Sequence, residues 1–278
     1  MLGGASSPGR TTYLGCVGAD ARADTMSSIM KEAGCDARYL VDEKEPTGTC
    51  AVCVMGGERS LVASLGAANK YKPEHLDANT DALEAASIVY SAGFFLTASG
   101  ESMVKAAAHC ADKGKTYCLN LSAPFLLEVP PLYAGLKGLF PHTAVLFGNE
   151  GEARCLAKAE GWETEDVAEI AARAASAWPR AGGRTVVFTQ GGSPTQVAVW
   201  SGVEGEAPVR SSFDVPVVPQ SEIVDTNGAG DSFVGGFLSR LLEGKDLATC
   251  CAAGHWAGGV IIRRGGCSMP EGACPYTD

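Results

Sequence analysis

The chain has 278 residues, 46% hydrophobic and 19% charged, with a formal net charge of -10 at pH 7. This length and apolar content are enough to bury one large core with a small appended lid. The negative charge argues against nucleic acid or an anionic membrane surface as a partner. The sequence also lacks an apolar run of about 18 to 20 residues, which argues against a membrane span.

Short apolar runs typical of strands recur along the chain and alternate with segments of helical periodicity. The predicted strands are Thr12–Val17, Ile88–Ser91, Tyr117–Leu121, Ala144–Phe147 and Thr185–Thr189. Helical patterns include Glu101–Lys113, Asp166–Trp178 and Leu247–Ile262. This alternation is typical of an α/β fold with a mainly parallel sheet covered by helices.

Between Thr47 and Ala68 the pattern changes to two β-rich runs, 49–55 and 60–65, around the turn Gly56-Gly57-Glu58. This pattern predicts a hairpin that belongs to a lid. The chain has no internal repeat and no low-complexity linker. We therefore expect a single domain over residues 1–278, with the lid inserted at about residues 40–68.

The eleven cysteines are scattered through strand-like and helical runs. Cys50-x-x-Cys53 has no second pair of this spacing, so disulfides and a zinc site are both unexpected. We interpret most cysteines as small buried residues, with Cys50 as the exception. Because the N-terminus lacks the basic-then-apolar pattern of a signal peptide, we expect a cytoplasmic protein, with the nucleus as the alternative compartment.

The most informative segment is Asp225-Thr226-Asn227-Gly228-Ala229-Gly230-Asp231, which we call the signature loop. Its residues Gly228, Ala229 and Gly230 carry almost no side-chain bulk at a helix N-terminus, so an anion can approach their N–H groups. Asp231 would repel phosphate, but it can accept a proton from a hydroxyl that attacks phosphate. The alternative is that Asp225 and Asp231 only cap the helix.

The helix after the signature loop carries apolar residues at helical spacing: Phe233, Phe237, Leu238, Leu241 and Leu242. We expect these residues to form a stripe that faces the core. Gly235 and Gly236 each cost roughly 1 kcal/mol relative to alanine inside a helix, and they predict close packing against the sheet.

The signature loop resembles that of the ribokinase-like family of sugar and nucleoside kinases, whose second aspartate is the catalytic base. The resemblance runs almost continuously from Thr11-Thr12-Tyr13-Leu14-Gly15-Cys16-Val17-Gly18 to Arg263-Arg264-Gly265-Gly266-Cys267. It implies a three-layer α/β/α sandwich with a mainly parallel central sheet and a small β lid that is partly missing from this chain. It also implies transfer of phosphate from ATP to an alcohol, with Mg²⁺ as the metal.

On the donor side, the resemblance implies that Asn149 and Glu152 form the family's Asn-x-x-Glu element, which positions Mg²⁺ through its waters. A capping box at a helix start explains the same two residues, and the two interpretations are compatible.

The resemblance places Thr189 and Gly191 near the nucleotide, with a simple Gly191-Gly192 turn as the alternative. Asn227 of the signature loop and His255 complete the implied nucleotide-binding set, although a lone histidine is more often structural.

On the acceptor side, the matching segments are most similar to the adenosine kinases and imply an apolar slot for a purine nucleoside. The implied slot residues are Cys50, Leu61, Ala63, Leu65, Phe94, Phe125 and Gln220, together with Asp231. Arg59 would approach the transferring phosphate as the lid closes. The alternative is that both phenylalanines belong to the core and that Arg59 is a solvated hairpin residue.

The N-terminus departs from the family pattern. In the family, several dozen residues precede the strand that begins in this chain near Thr11, and they supply a first sheet strand, part of the lid and an aspartate that grips the ribose. The predicted function is phosphorylation of the adenosine 5′-hydroxyl by ATP, giving AMP and ADP. The alternatives are a catalytically impaired nucleotide-binding relative and a kinase for another nucleoside or sugar. We expect a complete chain to be monomeric, and an open sheet edge would admit a partner.

Overall fold

The computed structural model describes residues 10–55, 58–267 and 276, and within residues 54–59 it describes no side chain. Contacts divide the chain into two compact units. The first joins the N-terminal segment up to Asn79 with the segment from Val218 onward, and the second is Thr80–Val217. The single domain with an inserted lid stays a prediction.

Strands and helices alternate along most of the chain. Up to Asn79 they are β1 (Thr11–Gly18), α1 (Ala21–Glu32), β2 (Cys35–Asp42), β3 (Thr49–Met55), β4 (Glu58–Ser64) and α2 (Pro73–Ala78). The second unit contains α3 (Thr80–Ala85), β5 (Ile88–Ala92), α4 (Phe95–Asp112), β6 (Thr116–Asn120), α5 (Phe125–Glu128), α6 (Pro130–Leu139), β7 (Val145–Asn149), α7 (Glu150–Ala159), α8 (Val167–Ser176), β8 (Arg184–Gln190), β9 (Ser193–Trp200) and β10 (Val209–Phe213). The chain then continues with α9 (Ala229–Leu242) and α10 (Leu247–Ile261).

The second unit is built on a six-stranded sheet in the order β10-β9-β8-β7-β6-β5. Strands β5 to β8 pair in parallel, while β9 and β10 pair antiparallel at one end. The centre of this sheet is apolar and buried on both faces, since the residues of Val145–Phe147 and Val186–Phe188 are all at most 5% exposed. These strands confirm the predicted mainly parallel sheet flanked by helices.

A buried arginine joins the end of α8 to the start of β8. Arg184 is only 2% exposed and donates to five backbone carbonyls, those of Thr143, Ala174, Ala175, Phe140 and Trp178, at 2.5 to 3.1 Å. Two of these carbonyls lie in the last turn of α8, where the helix itself provides no N–H donor. Burial lowers the pKa of Arg184 to about 10, so the side chain is still charged at neutral pH. Its positive charge interacts favourably with the negative C-terminal end of the α8 dipole.

The first unit begins with a parallel β1–β2 pair that is connected by α1. Asp20 caps this helix, accepting from the N–H groups of Arg22 and Ala23 at 3.1 Å. The same carboxylate accepts from the hydroxyl of Thr47 at 2.7 Å and from its N–H at 2.8 Å. These bonds, with the Thr47 hydroxyl contributing most, lower the pKa of Asp20 to about 2. Asp20 therefore ties the start of α1 to the segment that leads into β3.

We expect Asp20→Asn to lower the melting temperature at pH 7 by about 2 to 4 °C, because the amide keeps one capping oxygen but loses the acceptor for the Thr47 N–H and the negative charge at the helix start. The folded-state pKa lies below the ordinary value of 3.8, so the carboxylate contributes its stability above pH 3.8 and loses it as the pH falls through about 2. The melting temperatures of the wild type and the variant, measured at pH values from 7 downward, should therefore converge in acid. The matched control is Asp24→Asn, because Asp24 is an exposed aspartate in the same helical turn. An equal decrease of the melting temperature in both variants would contradict the prediction.

The predicted hairpin is confirmed, with β3 and β4 pairing antiparallel, and we call this pair the lid hairpin. Glu58 pairs with Met55 and so belongs to a strand, not to the turn as predicted; Gly56 and Gly57 lie outside the described residues. Cys50 stands opposite Ala63, and Val52 stands opposite Leu61, so these four residues share one face.

Helices α9 and α10 pack against each other at backbone distance. A Cβ on Gly236 would lie 2.4 Å from the carbonyl oxygen of Ala253, and one on Gly254 would lie 2.6 Å from the Phe233 ring. Gly236 therefore allows close packing against α10, not against the sheet as predicted. The predicted apolar stripe is confirmed at Phe233 and Phe237, whereas Leu242 is 45% exposed.

Ten cysteines lie within the described ranges, and all ten are free thiols. Six of them are buried, and Cys50 is exposed, as the sequence predicts; Cys53 and Cys267 are exposed as well. None of the helices in these ranges is long and apolar enough to cross a membrane.

Candidate active site

The signature loop starts α9 with a left-handed residue. Gly228 has φ +72° and ψ 3° at the N-cap position, a conformation that glycine adopts without steric cost. A Cβ at this position would lie 2.7 Å from the Sγ atom of Cys267, whereas a Cβ on Gly230 would meet nothing within 4 Å. The first N–H groups of the helix, which have no acceptor within it, thus emerge beside an uncrowded glycine and can receive an anion.

Asp225 holds this loop in shape, a role that the sequence pattern alone did not assign. Its carboxylate accepts from the N–H of Asn227 at 2.8 Å and from the N–H of Gly266 at 3.2 Å. Its own N–H donates to the carbonyl of Ile262. The Asp-x-Asn spacing is a local signal for such an Asx turn, but the contact with Gly266 is 41 residues away in the sequence and has no local signal.

Asp231 lies in the first turn of α9, next to this anion site. Surrounding protein atoms displace part of its hydration and raise the pKa of its carboxyl group above the ordinary value of 3.8. The residue nevertheless remains accessible to solvent. A carboxylate that is partly desolvated but reachable is suited to accept a proton from a substrate hydroxyl.

In the second unit, Asn149 and Glu152 form a complete capping box at the start of α7. The Asn149 side-chain oxygen accepts from the Glu152 N–H at 2.9 Å, and the Glu152 carboxylate accepts from the Asn149 backbone N–H at 3.0 Å and from its amide at 2.8 Å. Glu152 is only 4% exposed. The capping interpretation is therefore confirmed, while the magnesium role stays a prediction.

Thr189 and Gly191 lie where β8 turns into β9. Gln190 pairs with Ser193, so Gly191 and Gly192 form the connecting turn, and Gly191 has φ +57°. The turn interpretation is thus confirmed. Thr189 is half-buried next to it and donates to the carbonyl of Gly148 at 3.4 Å. The contact of both residues with a nucleotide stays a prediction.

Phe94 and Phe125, which we call the aromatic pair, follow the parallel strands β5 and β6. Their ring centroids are 6.0 Å apart with 42° between the planes. The two side chains are 51% and 41% exposed, so the alternative that they belong to the core is wrong. Each of these accessible aromatic rings offers a flat apolar face on which a nucleobase can stack.

The predicted slot residues of the lid hairpin are also accessible. Leu61 is 55% exposed and Leu65 is 44% exposed, and Cys50 and Ala63 are exposed as a cross-strand pair. Leu65 lies just beyond the end of β4. The side chain of Arg59 lies outside the described residues, so its role near the phosphate stays a prediction.

Three further predicted residues lie in the first unit. Gln220 is exposed in a short helical turn at residues 220–222, and Asn227 is bound to Asp225 as described above. His255 is buried on α10 with its ring centroid 5.3 Å from that of Phe233, and burial lowers its pKa. Core packing accounts for this histidine, and its contact with a nucleotide stays a prediction.

Residues 2–273 match the model of the pfkB family of carbohydrate kinases. The chain belongs to this family. Adenosine kinase 1 of Arabidopsis thaliana is 45% identical over 269 residues, which are 95% of this chain and 75% of that protein. Adenosine kinase of Saccharomyces cerevisiae is 36% identical over 271 residues, which are 97% of this chain and 76% of that protein.

Solved structures of pfkB-like kinases show the same fold. Anopheles gambiae adenosine kinase in complex with P1,P4-di(adenosine-5) tetraphosphate aligns with a TM-score of 0.86 at 41% identity, covering 94% of this chain and 76% of that one. Schistosoma mansoni adenosine kinase in complex with 2-fluoroadenosine aligns with a TM-score of 0.88 at 30% identity, covering 96% and 78%. The predicted ribokinase-like fold and phosphotransferase class are confirmed.

Proposed function

We propose that this pfkB-family kinase transfers the γ-phosphate of ATP to the 5′-hydroxyl of adenosine, giving AMP and ADP. The observation that carries the proposal is the position of Asp231, one residue after the open Gly230 in the first turn of α9. A base next to an anion-binding helix start is the arrangement that phosphoryl transfer to a hydroxyl requires. The curated adenosine kinases favour adenosine over another nucleoside or a sugar as the acceptor.

In this mechanism Asp231 accepts the proton of the 5′-hydroxyl as the hydroxyl oxygen forms its bond to the γ-phosphorus. The bond from that phosphorus to the bridging oxygen breaks, and ADP leaves. The N–H groups at the start of α9 stabilise negative charge on the moving phosphoryl group. Gly228 and Asp225 keep these donors in place before the substrate arrives, so little reorganisation is needed during the reaction.

The aromatic pair and the exposed face of the lid hairpin are proposed to contact the base and the sugar of adenosine. They provide apolar surface that is accessible in the protein. We further propose that Thr189, Gly191, Asn227 and His255 line the ATP site, that Gln220 lines the adenosine site and that Arg59 stabilises charge at the transferring phosphate.

For the metal, we propose Mg²⁺ held near Asn149 and Glu152. Their donor set fits this ion, because carboxylate and amide oxygens are hard ligands. Both Glu152 oxygens already accept hydrogen bonds from Asn149, which suits contact through the ion's own waters. When bound, Mg²⁺ neutralises charge on the donor phosphates.

The free thiols of the described cysteines suit a reducing compartment such as the cytoplasm.

The proposal is tested by a coupled assay of ADP formation with ATP, Mg²⁺ and adenosine, with inosine and ribose as rival acceptors. We expect ADP formation that depends on adenosine and that stops when EDTA removes Mg²⁺. The kcat/KM for ribose should be lower by about tenfold or more, since ribose has no base to stack on the aromatic pair. The kcat/KM for inosine should also be lower, since a carbonyl replaces the 6-amino group of adenosine. Turnover of ribose but not of adenosine would overturn the acceptor, and ATP binding by folded protein without any turnover would overturn the kinase activity.

A further inference from the structure

One serine has an unusual backbone conformation between the two members of the aromatic pair. Ser122 has φ +67°, and within the described ranges it is the one residue other than glycine with a positive φ. The N–H of Ala123 donates to the carbonyl of Leu121 at 2.8 Å, closing a three-residue turn around Ser122. Such γ-turns with positive φ are rare and strained, and strained backbone often marks positions that serve function.

The Ser122 hydroxyl connects two loops. The Gly93 N–H donates to the Ser122 oxygen at 2.8 Å and also to the backbone carbonyl of Asn120 at 2.8 Å. The Ser122 O–H in turn donates to the Asn120 carbonyl at 3.3 Å. The Ser122 N–H donates to the side-chain oxygen of Asn120 at 3.1 Å. The hydroxyl therefore joins the end of β6 to the residue that immediately precedes Phe94.

The two loops also touch at backbone level. A Cβ on Gly93 would lie 2.7 Å from the carbonyl oxygens of both Asn120 and Leu121, so glycine is required for this approach. Phe94 follows Gly93 directly, and Phe125 begins α5 three residues after Ser122. Because the two rings are 51% and 41% exposed, packing in the core fixes them only in part. Their separation depends on how the two loops are joined.

We propose that Ser122 is a positioning residue that sets the geometry of the aromatic pair for the flat base of the acceptor nucleoside. It acts through the Gly93 N–H and does not touch the reacting atoms. This inference rests on the proposed function, since it presumes that the aromatic pair binds the acceptor and not ATP.

Two variants separate the hydroxyl from the backbone strain. Ser122→Gly removes the hydroxyl but tolerates positive φ, so we expect little change in melting temperature and an increase of about fivefold in KM for adenosine, the usual effect of losing one hydrogen bond. Ser122→Thr keeps the hydroxyl but adds a branched Cβ that disfavours positive φ. It should melt at a lower temperature while its KM for adenosine stays near the wild-type value.

In both variants kcat and KM for ATP should remain within about twofold of wild type, because neither substitution changes a catalytic group or a residue proposed to bind ATP. Ser176→Ala is the matched control, since that hydroxyl bonds to Ala172 within its own helix α8; it should leave KM for adenosine unchanged. An unchanged KM in Ser122→Gly, or parallel increases in KM for adenosine and ATP, would overturn the inference alone. If the wild-type chain neither binds adenosine in calorimetry nor phosphorylates it, the proposed function fails and this inference fails with it.

Discussion

Replacing Asp231 with asparagine should lower kcat for adenosine phosphorylation by about 10² to 10⁴, the usual contribution of a general base. Asparagine has nearly the same shape but accepts no proton from the 5′-hydroxyl at neutral pH. Its substrate contacts change little, so KM for ATP and for adenosine should stay within a few-fold of wild type. Steady-state kinetics of both proteins check the prediction, with circular dichroism to confirm that the variant is folded.

The pH dependence provides a second check on the same residue. Partial desolvation raises the pKa of the Asp231 carboxyl group above 3.8, and the base is active only when it is deprotonated. Wild-type kcat/KM should therefore fall as the pH falls, with a midpoint above this ordinary value, and the fall should be absent from the residual activity of Asp231→Asn. A variant with wild-type kcat would show that Asp231 is not the base and contributes only its charge to the first turn of α9.

Replacing Arg184 with methionine should lower the free energy of unfolding by about 3 to 5 kcal/mol. Methionine fills similar volume but provides no donor, so the carbonyls of Phe140, Thr143, Ala174, Ala175 and Trp178 lose a partner inside the protein. An unsatisfied buried acceptor typically costs about 1 to 3 kcal/mol, and relaxation of the end of α8 recovers part of the sum. Urea unfolding followed by circular dichroism measures the difference.

Arg173→Met is the matched control on α8. Arg173 forms an ion pair with Glu169 on the exposed side of the helix, and exposed pairs of this kind are worth at most about 1 kcal/mol. Arg184→Lys should be intermediate, because an ammonium group cannot reach as many carbonyls as a guanidinium fork. Equal losses in the two methionine variants would contradict the role assigned to Arg184.

The parts of the fold that the sequence predicts are those encoded by local patterns. Strands β6 to β8 are short apolar runs because their centres are buried on both faces. The capping box of Asn149 and Glu152 depends on a spacing of three residues. The sequence does not predict strand β2, because Asp36 and Arg38 interrupt its apolar pattern. The sequence does not predict strand β9, which the Gly191-Gly192 turn connects to β8 as an antiparallel neighbour.

The candidate site shows the same division. The signature loop predicts the base and the anion-binding helix start from seven consecutive residues. The contacts that hold the site in place join segments far apart in the chain. The Gly266 N–H donates to Asp225 in the signature loop, and the Gly93 N–H donates to Ser122 between the loops of the aromatic pair. Similarly, the glycines in the pattern of α9 predict that another element packs closely at Gly236, but the pattern does not identify Ala253 as the neighbour.

The contact between Gly236 and Ala253 also has a consequence for native-state fluctuations. A helix pair in backbone contact leaves no room for one helix to shift or fray while the other stays in place. The amide hydrogens in the middle of α9 and α10 should therefore exchange with solvent deuterium as one cooperative opening unit, with similar protection in both helices. The start of α9, where we propose that the phosphoryl group binds, is thereby supported by the stability of two helices and not of one.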